Sequence, residues 1–287
     1  MYEAFYGLKH RPFLTVPDPD FLFWAEQHTL AFTMLRYGLM TRAPITVITG
    51  EIGAGKTTLL RQLMREIPTD LVVGLVSNMQ AGRGELLQWV MMALGQSAAE
   101  EPYVRLFQRF QDFVIEAYAQ GKRVVLIFDE AQNLTVDALE ELRMLSNINA
   151  DKDELLQLVL VGQPQLRDLL ARPELVQFAQ RVSSDFHLTA LGAQDVERYV
   201  LHRLEVAGAA WRIFPARTCA LIHEATRGVP RLVNILCDLC LVYGFAAETK
   251  VIDEHLLREF LTGAKRRGIY EQFAPLSEAP KLVRQAT

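Results

Sequence analysis

One stretch constrains this chain more than any other: Gly50-Glu51-Ile52-Gly53-Ala54-Gly55-Lys56-Thr57. It follows a short apolar, β-branched run at 45–49 and opens a run at 56–66 whose Leu59, Leu60 and Leu63 recur at helical spacing. Glycine adopts left-handed backbone freely, so a loop with three glycines can curl its N–H groups inward. Inward N–H groups make an anion cradle, and a helix that starts there adds the positive end of its dipole. With a lysine and a threonine at its close, the segment reads as a phosphate-binding loop. Residues 50–58, Thr58 included, are the expected cradle for a nucleoside triphosphate, read as ATP. Lys56 would reach its outer phosphates and the Thr57 hydroxyl would ligate Mg²⁺. A glycine-rich turn without a ligand is the competing reading.

The rest of the chain fits a layered α/β domain around that loop. Short, largely apolar runs at 45–49, 71–77, 123–128 and 157–162 look like strands of a parallel sheet covered on both faces. Helical patterns lie between them at 56–66, 85–94, 103–120 and 136–147, and 186–189 could supply a fifth strand. Beyond residue 191 the pattern changes to four helical stretches, 193–206, 215–226, 231–247 and 253–262, which predicts a small all-helical domain. The first 44 residues are aromatic and interrupted by Pro12, Pro17 and Pro19, with one helical pattern at 26–40. The expected division is an N-terminal segment 1–44, a nucleotide-binding core 45–190, a helical domain 191–264 and a tail 265–287.

Composition narrows the class. A chain of 287 residues, 50% hydrophobic and 22% charged, can bury a core without disulfides or metals. The net charge of -4 gives no global basic field for nucleic acid or an acidic membrane, although a local patch such as Lys265-Arg266-Arg267 can still exist. Cys237 and Cys240 form a CxxC without a second pair inside an apolar run, so with Cys219 they read as helix core; zinc or redox chemistry is the minor alternative. The odd count suits a reducing compartment. No secretory leader pattern opens the chain. The greasiest stretch, 232–247, is too short to span a bilayer and contains Asn234 and Asp238. The expected location is therefore the cytoplasm.

Three further features would complete the chemistry. The run 124–128 ends in Asp129 and Glu130, about 73 residues beyond Lys56. Asp129 at a strand tip can hold Mg²⁺ through water, and Glu130 can polarise a water for attack on the γ-phosphate. The run 158–162 ends in Gln163, which could orient that water or sense phosphate loss, or could be a plain loop residue before Pro164. Arg181, before the fifth strand, and Arg231, after Gly228-Val229-Pro230, are candidates to touch the γ-phosphate from a neighbouring subunit or from the helical domain. Arg167 and Arg172 compete with Arg181, and a surface salt bridge is the plain reading of each.

These residues resemble a family. Residues 1–8, Arg11-Pro12-Phe13 and 17–23 are similar to the N-terminal signature of AAA+ ATPases of the ExeA/GspA type, which serve secretion, pilus and exopolysaccharide systems. Residues 47–60 resemble that family's Walker A region and 126–134 its Walker B region. Residues 160–164 resemble its sensor-one strand, and Gly228-Val229-Pro230-Arg231 its sensor-two corner. The resemblance covers roughly residues 1–262, and transposition-helper ATPases are related. It implies a P-loop NTPase core with AAA+ strand order and a helical lid, with the segment around 17–22 near the adenine and Pro230 and Arg231 near the nucleotide. It also implies a homo-oligomer with ATP at subunit interfaces and Arg181 as finger. ExeA-type proteins usually continue into a membrane span and a peptidoglycan-binding region. This sequence ends at Thr287, so an envelope role is expected to run through a protein partner, which can be membrane-associated. The expected function is ATP hydrolysis that drives or gates such a partner. An ATP-dependent duplex-DNA regulator, with Arg83 and the 265–267 cluster on phosphates, is one alternative, and a nucleotide-gated scaffold with little turnover is another.

Overall fold

A computed structural model of the chain describes residues 1–77, 85–97, 101–150, 153–266 and 272–276. In chain order the elements are α1 (Glu3–Tyr6), α2 (Glu26–Met40), β1 (Ile45–Gly50), α3 (Lys56–Arg65), β2 (Leu71–Ser77), α4 (Leu86–Ala93), α5 (Tyr103–Ala119), β3 (Arg123–Asp129) and α6 (Val136–Leu145). They continue with β4 (Asn149–Ala150), β5 (Asp153–Glu154), β6 (Leu156–Gly162), α7 (Gln165–Leu170), α8 (Val176–Ala179), β7 (Val182–Leu188), α9 (Ala193–Val206), α10 (Ala216–Thr226), α11 (Pro230–Ala246) and α12 (Glu254–Arg266).

The chain forms two compact units. The unit from Trp24 to Thr189 holds a five-stranded parallel sheet in the order β2-β3-β6-β1-β7. β1 pairs with β6 on one side and β7 on the other, and all six of its residues are buried, as its unbroken apolar and threonine composition requires. β3 lies between β2 and β6, and Val124 to Phe128 are almost wholly buried. Helix α2 packs on β1 and β7, α4 on β2 and α5 on β3. The α5 face of Leu106, Phe110, Val114 and Ala117 repeats at three- and four-residue spacing and enters the core cluster.

Parallel order brings the C-terminal ends of β1, β3 and β6 to one edge. Thr49 pairs with Gly162, and Asp129 with Val161. The chain leaves β1 for β2 on one flank, while β7 occupies the other flank of β1. The crevice outside the carboxyl ends of such a sheet is where open α/β folds bind ligands.

The fifth strand differs from the expectation. It starts at Val182, four residues before 186, and ends at Leu188. β7 is the last strand of the sheet on its side, and its Ser183, Ser184 and Asp185 are polar, so its sequence lacks the apolar run that marks the central strands.

The second unit comprises Met1–Phe23 and the residues from Ala190 onward. Four helices, α9 to α12, pack in succession. The segment read as one stretch from 1 to 44 is thus divided, its first 23 residues with the helices and α2 with the sheet. The first part is bound by specific polar contacts. Arg203 on α9 is 6% exposed and donates Nε to the Pro12 carbonyl (2.6 Å) and Nη2 to the Leu14 carbonyl (3.1 Å). Its guanidinium also lies 4.7 Å from the centre of the Phe21 ring. Asn234 Nδ2 donates to the same Leu14 carbonyl (3.2 Å) while its Oδ1 accepts from the Tyr199 hydroxyl (2.8 Å). Phe13 packs edge-on against Phe214. Cys219, Cys237 and Cys240 are all buried free thiols, and burial pushes each thiol upward, that of Cys219 to about 12.

Candidate functional site

The phosphate loop is built from β1 into α3. Gly53 and Gly55 have φ of 81° and 103°, the left-handed backbone that lets the loop curl. Gly55 carries a second constraint, since a Cβ there would stand 3.0 Å from His28 Nε2. His28 comes from α2, is buried, and its Nε2 lies 2.9 Å from the Ala54 carbonyl oxygen. A carbonyl accepts, so Nε2 carries the proton in this contact. The loop is thereby fixed from beneath by a residue that the sequence reading did not single out.

Lys56, the first residue of α3, is 6% exposed. Its Nζ donates to the carbonyls of Gly50 (2.7 Å) and Glu51 (3.0 Å). Burial pulls the Lys56 ammonium below its ordinary value, while the charges of Glu130, Asp129 and Glu51 oppose that shift. Ile52, at the crown of the loop, is 59% exposed.

Asp129 and Glu130 meet this loop from the end of β3. Thr57 donates its hydroxyl to Asp129 Oδ2 (3.2 Å), and the Glu130 amide donates to Asp129 Oδ1 (3.0 Å). Burial pushes the Asp129 carboxyl up, with the Glu130 charge adding to it and hydrogen bonds from the Glu130 amide and Thr57 holding it back. Glu130 has φ of 57°, a left-handed conformation that costs a non-glycine residue roughly 1–3 kcal/mol and is found where the surroundings enforce it. It initiates a short turn, Ala131–Asn133, whose Gln132 folds back over the site.

Glu130 Oε2 accepts from two amides, Gln132 Nε2 (2.6 Å) and Gln163 Nε2 (3.1 Å). Burial works to raise the Glu130 carboxyl, but these two hydrogen bonds and the Lys56 charge outweigh it and hold the group below the usual range. Gln132 also accepts the Gln163 main-chain N–H at its Oε1 (2.9 Å). Gly162 explains itself here: a Cβ would stand 2.9 Å from Gln132 Oε1 and 3.0 Å from Leu166 Cδ2.

Lys56, Thr57, Asp129, Glu130 and Gln163 are therefore brought together, and Gln132 and His28 join them unforeseen. Arg181 is half-buried and donates to Ser146 Oγ (2.9 Å) at the end of α6. Its competitor Arg167 pairs with Asp185 at 3.6 Å between exposed side chains, and Arg172 is exposed. Pro230 and Arg231 belong to the other unit. Pro230 is buried as the first residue of α11, where its missing N–H is harmless, and Arg231 beside it is exposed. Of the basic residues considered for DNA contacts, Arg83 and Arg267 lie outside the described residues, as does most of the tail 265–287. Among the described residues no helix is long and apolar enough to cross a membrane.

The donor set fits magnesium. The Asp129 carboxylate and the Thr57 hydroxyl offer hard oxygen ligands within 3.2 Å of each other. Magnesium at phosphates takes one or two protein oxygens and completes its shell with water and the phosphates themselves. Among the described residues no cluster of three or more His, Cys, Asp or Glu could hold a metal alone.

A glycine loop from a central strand into a helix, a strand-tip Asp-Glu pair and a polar residue on the strand between them define a P-loop nucleotide-binding protein of the AAA+ class. The family described as "AAA domain" matches residues 39–170. The chain is 38% identical over 247 residues to general secretion pathway protein A of Aeromonas hydrophila, an alignment covering 86% of this chain and 45% of that protein. These matches support an AAA+ protein of the ExeA/GspA type, and the chain spans less than half the length of this relative. Among solved structures it resembles Cdc6p from Pyrobaculum aerophilum (TM-score 0.66, 17% identity, 86% of this chain and 71% of that one). It also resembles Drosophila ORC bound to DNA (TM-score 0.65, 14% identity, 90% and 66%) and the ADP form of Aeropyrum pernix ORC2 (TM-score 0.61, 18% identity, 83% and 67%). At such identities the likeness speaks for the fold.

Proposed function

We propose that this chain is an ATPase that hydrolyses ATP to ADP and phosphate and uses the cycle to drive or gate a protein partner. The observation that carries this reading is the Glu130 carboxylate, fixed by Gln132 and Gln163 one residue beyond Asp129 and beside the loop of Lys56 and Thr57. A P-loop that only binds nucleotide has no need of a second acid there.

In the proposed reaction the loop amides of 50–58 hold the outer phosphates. An ammonium has three donors, and Lys56 commits two to Gly50 and Glu51, so the third can be aimed at a phosphate oxygen. Thr57 and Asp129 would hold Mg²⁺, which would neutralise charge at the outer phosphate oxygens. Glu130 accepts a proton from water as the water oxygen bonds to the γ-phosphorus and the bond to the β-bridging oxygen breaks. Gln163, which donates to Glu130, is assigned to orient the water or to sense whether the γ-phosphate is present. Arg181 of a neighbouring subunit and Arg231 are assigned to the charge that grows in the transition state, on the strength of the resemblance alone. On the same ground Pro230 is assigned near the nucleotide and the segment around 17–22 near the adenine.

The similarity to a general secretion pathway protein supports a partner in an envelope secretion system. A polysaccharide-assembly system, a place at the cytoplasmic side and a homo-oligomer belong to the proposal on the family resemblance alone. The test is phosphate release at saturating Mg·ATP across a range of protein concentrations, with and without duplex DNA. Turnover that rises with protein concentration supports a shared site. Stimulation by DNA moves the assignment to a DNA regulator, and absence of turnover throughout defeats the ATPase reading.

A further inference from the structure

Gln132 has no place in the reaction just described, yet it is tied to both groups that flank the reacting phosphate. Its two amide ends are used in opposite senses. Nε2 donates to the Glu130 carboxylate at 2.6 Å and Oε1 accepts the main-chain N–H of Gln163 at 2.9 Å. A side-chain amide can give at one end and take at the other, at a fixed separation. The third side of the triangle is closed by Gln163 Nε2 on the same Glu130 oxygen, at 3.1 Å.

The surroundings hold Gln132 in place. The short turn that carries it starts from the left-handed Glu130, which turns the chain back over the end of β6. Gly162 leaves the space it fills, since a Cβ there would come within 2.9 Å of Oε1 and 3.2 Å of the Gln132 main-chain nitrogen. A backbone strain and a missing side chain thus converge on one amide.

We propose that Gln132 is a positioning residue that couples Gln163 to Glu130, so that occupation of the γ-phosphate site at the end of β6 is transmitted to the carboxylate at the end of β3. The inference rests on the ATPase reading for what Gln163 senses. When Gln163 turns its amide toward a γ-phosphate, Glu130 loses one of two donors; Gln132 keeps the carboxylate aimed and keeps the Gln163 main chain in register with it. Gln132 itself does not touch the nucleotide.

Glutamate is nearly isosteric with glutamine, so Gln132→Glu keeps the packing against Gly162 and the acceptor for Gln163 N–H, but replaces the donor to Glu130 with a second carboxylate. Both Gln132→Glu and Gln132→Ala should lower kcat by about 10–100-fold, the scale of a misaligned reacting group, while fluorescent ADP binds within about two-fold of wild type. Gln132→Ala combined with Gln163→Ala should be little worse than either alone, because the two act as one unit. Wild-type kcat in Gln132→Glu, or ADP affinity falling in step with kcat, overturns the proposal. A second readout does not need turnover. In ¹⁵N-labelled wild type, ADP with beryllium fluoride, a γ-phosphate mimic, should shift the side-chain amide signals of both Gln163 and Gln132, and ADP alone neither. A Gln132 signal that stays still under the mimic overturns the coupling even in a protein that hydrolyses nothing; a wild type with no turnover but with both signals moving defeats the ATPase reading and leaves the coupling standing.

Discussion

His28 Nε2 donates to the Ala54 carbonyl across 2.9 Å, joining a helix that precedes the sheet to the floor of the phosphate loop. His28 is 4% exposed and Ala54 1% exposed, so water does not replace this bond when it is removed. His28→Ala should lower unfolding free energy by about 1–3 kcal/mol, the cost of leaving a buried acceptor unsatisfied, and weaken nucleotide binding as the loop relaxes. Urea denaturation and a fluorescent-ADP titration check both parts. Unchanged stability together with unchanged affinity would mean that the loop holds its shape without α2.

Gly162→Ala places a methyl group 2.9 Å from Gln132 Oε1 and 3.0 Å from Leu166 Cδ2. Overpacking of this kind costs about 1–3 kcal/mol, and the strain falls on the side chain that spans Glu130 and Gln163. The variant should fold with a lowered Tm and lose more phosphate-release activity than ADP affinity. Calorimetry beside a rate measurement separates the two effects.

Arg203 is a buried cation whose donors go to the main-chain carbonyls of Pro12 and Leu14 and whose face covers Phe21. Lysine cannot reproduce that fork. Arg203→Lys should therefore be destabilising by about 1–3 kcal/mol and should make residues 12–14 cleavable by a protease that the wild type resists. A wild-type digestion pattern would show that the N-terminal segment is held by its aromatic residues instead.

Much of this was legible in the sequence, for reasons that differ from residue to residue. Lys56, Thr57 and the glycines declare themselves because phosphate binding demands contiguous residues. Asp129, Glu130 and Gln163 were legible because each ends an apolar run, and parallel order brings strand ends to one edge. Gln132 was not, because its placement is set by two partners, one of them 31 positions away, and no periodicity marks a residue in a short turn. His28 looked like any polar residue on a helix; its partner lies 26 positions on. The start of β7 at Val182 was missed because Ser183, Ser184 and Asp185 break any apolar run there. Arg203 sat in a helical pattern as one more charge, and only packing reveals that it is buried.

Arg181 donates to Ser146, whose own hydroxyl is bonded to the Arg143 carbonyl, so within one chain it is already engaged. A guanidinium has five N–H donors, so this one bond does not bar Arg181 from a neighbour's nucleotide. Arg181→Ala should reduce turnover by roughly 10³-fold or more, the scale of an arginine finger. Mixing Arg181→Ala with Glu130→Gln should then restore part of the activity, since a mixed assembly can pair an intact Glu130 with an intact Arg181. No recovery over a range of mixing ratios would count against a role in trans.

The most direct measurement compares wild type with Glu130→Gln for ATP occupancy and phosphate release on the same preparation. Glutamine preserves the size of the side chain at 130 and removes the proton acceptor. The account predicts ATP binding close to wild type with hydrolysis reduced by about 10²-fold or more, so that ATP stays bound and intact. A Glu130→Gln protein that releases phosphate at the wild-type rate would contradict the central claim that Glu130 activates the attacking water.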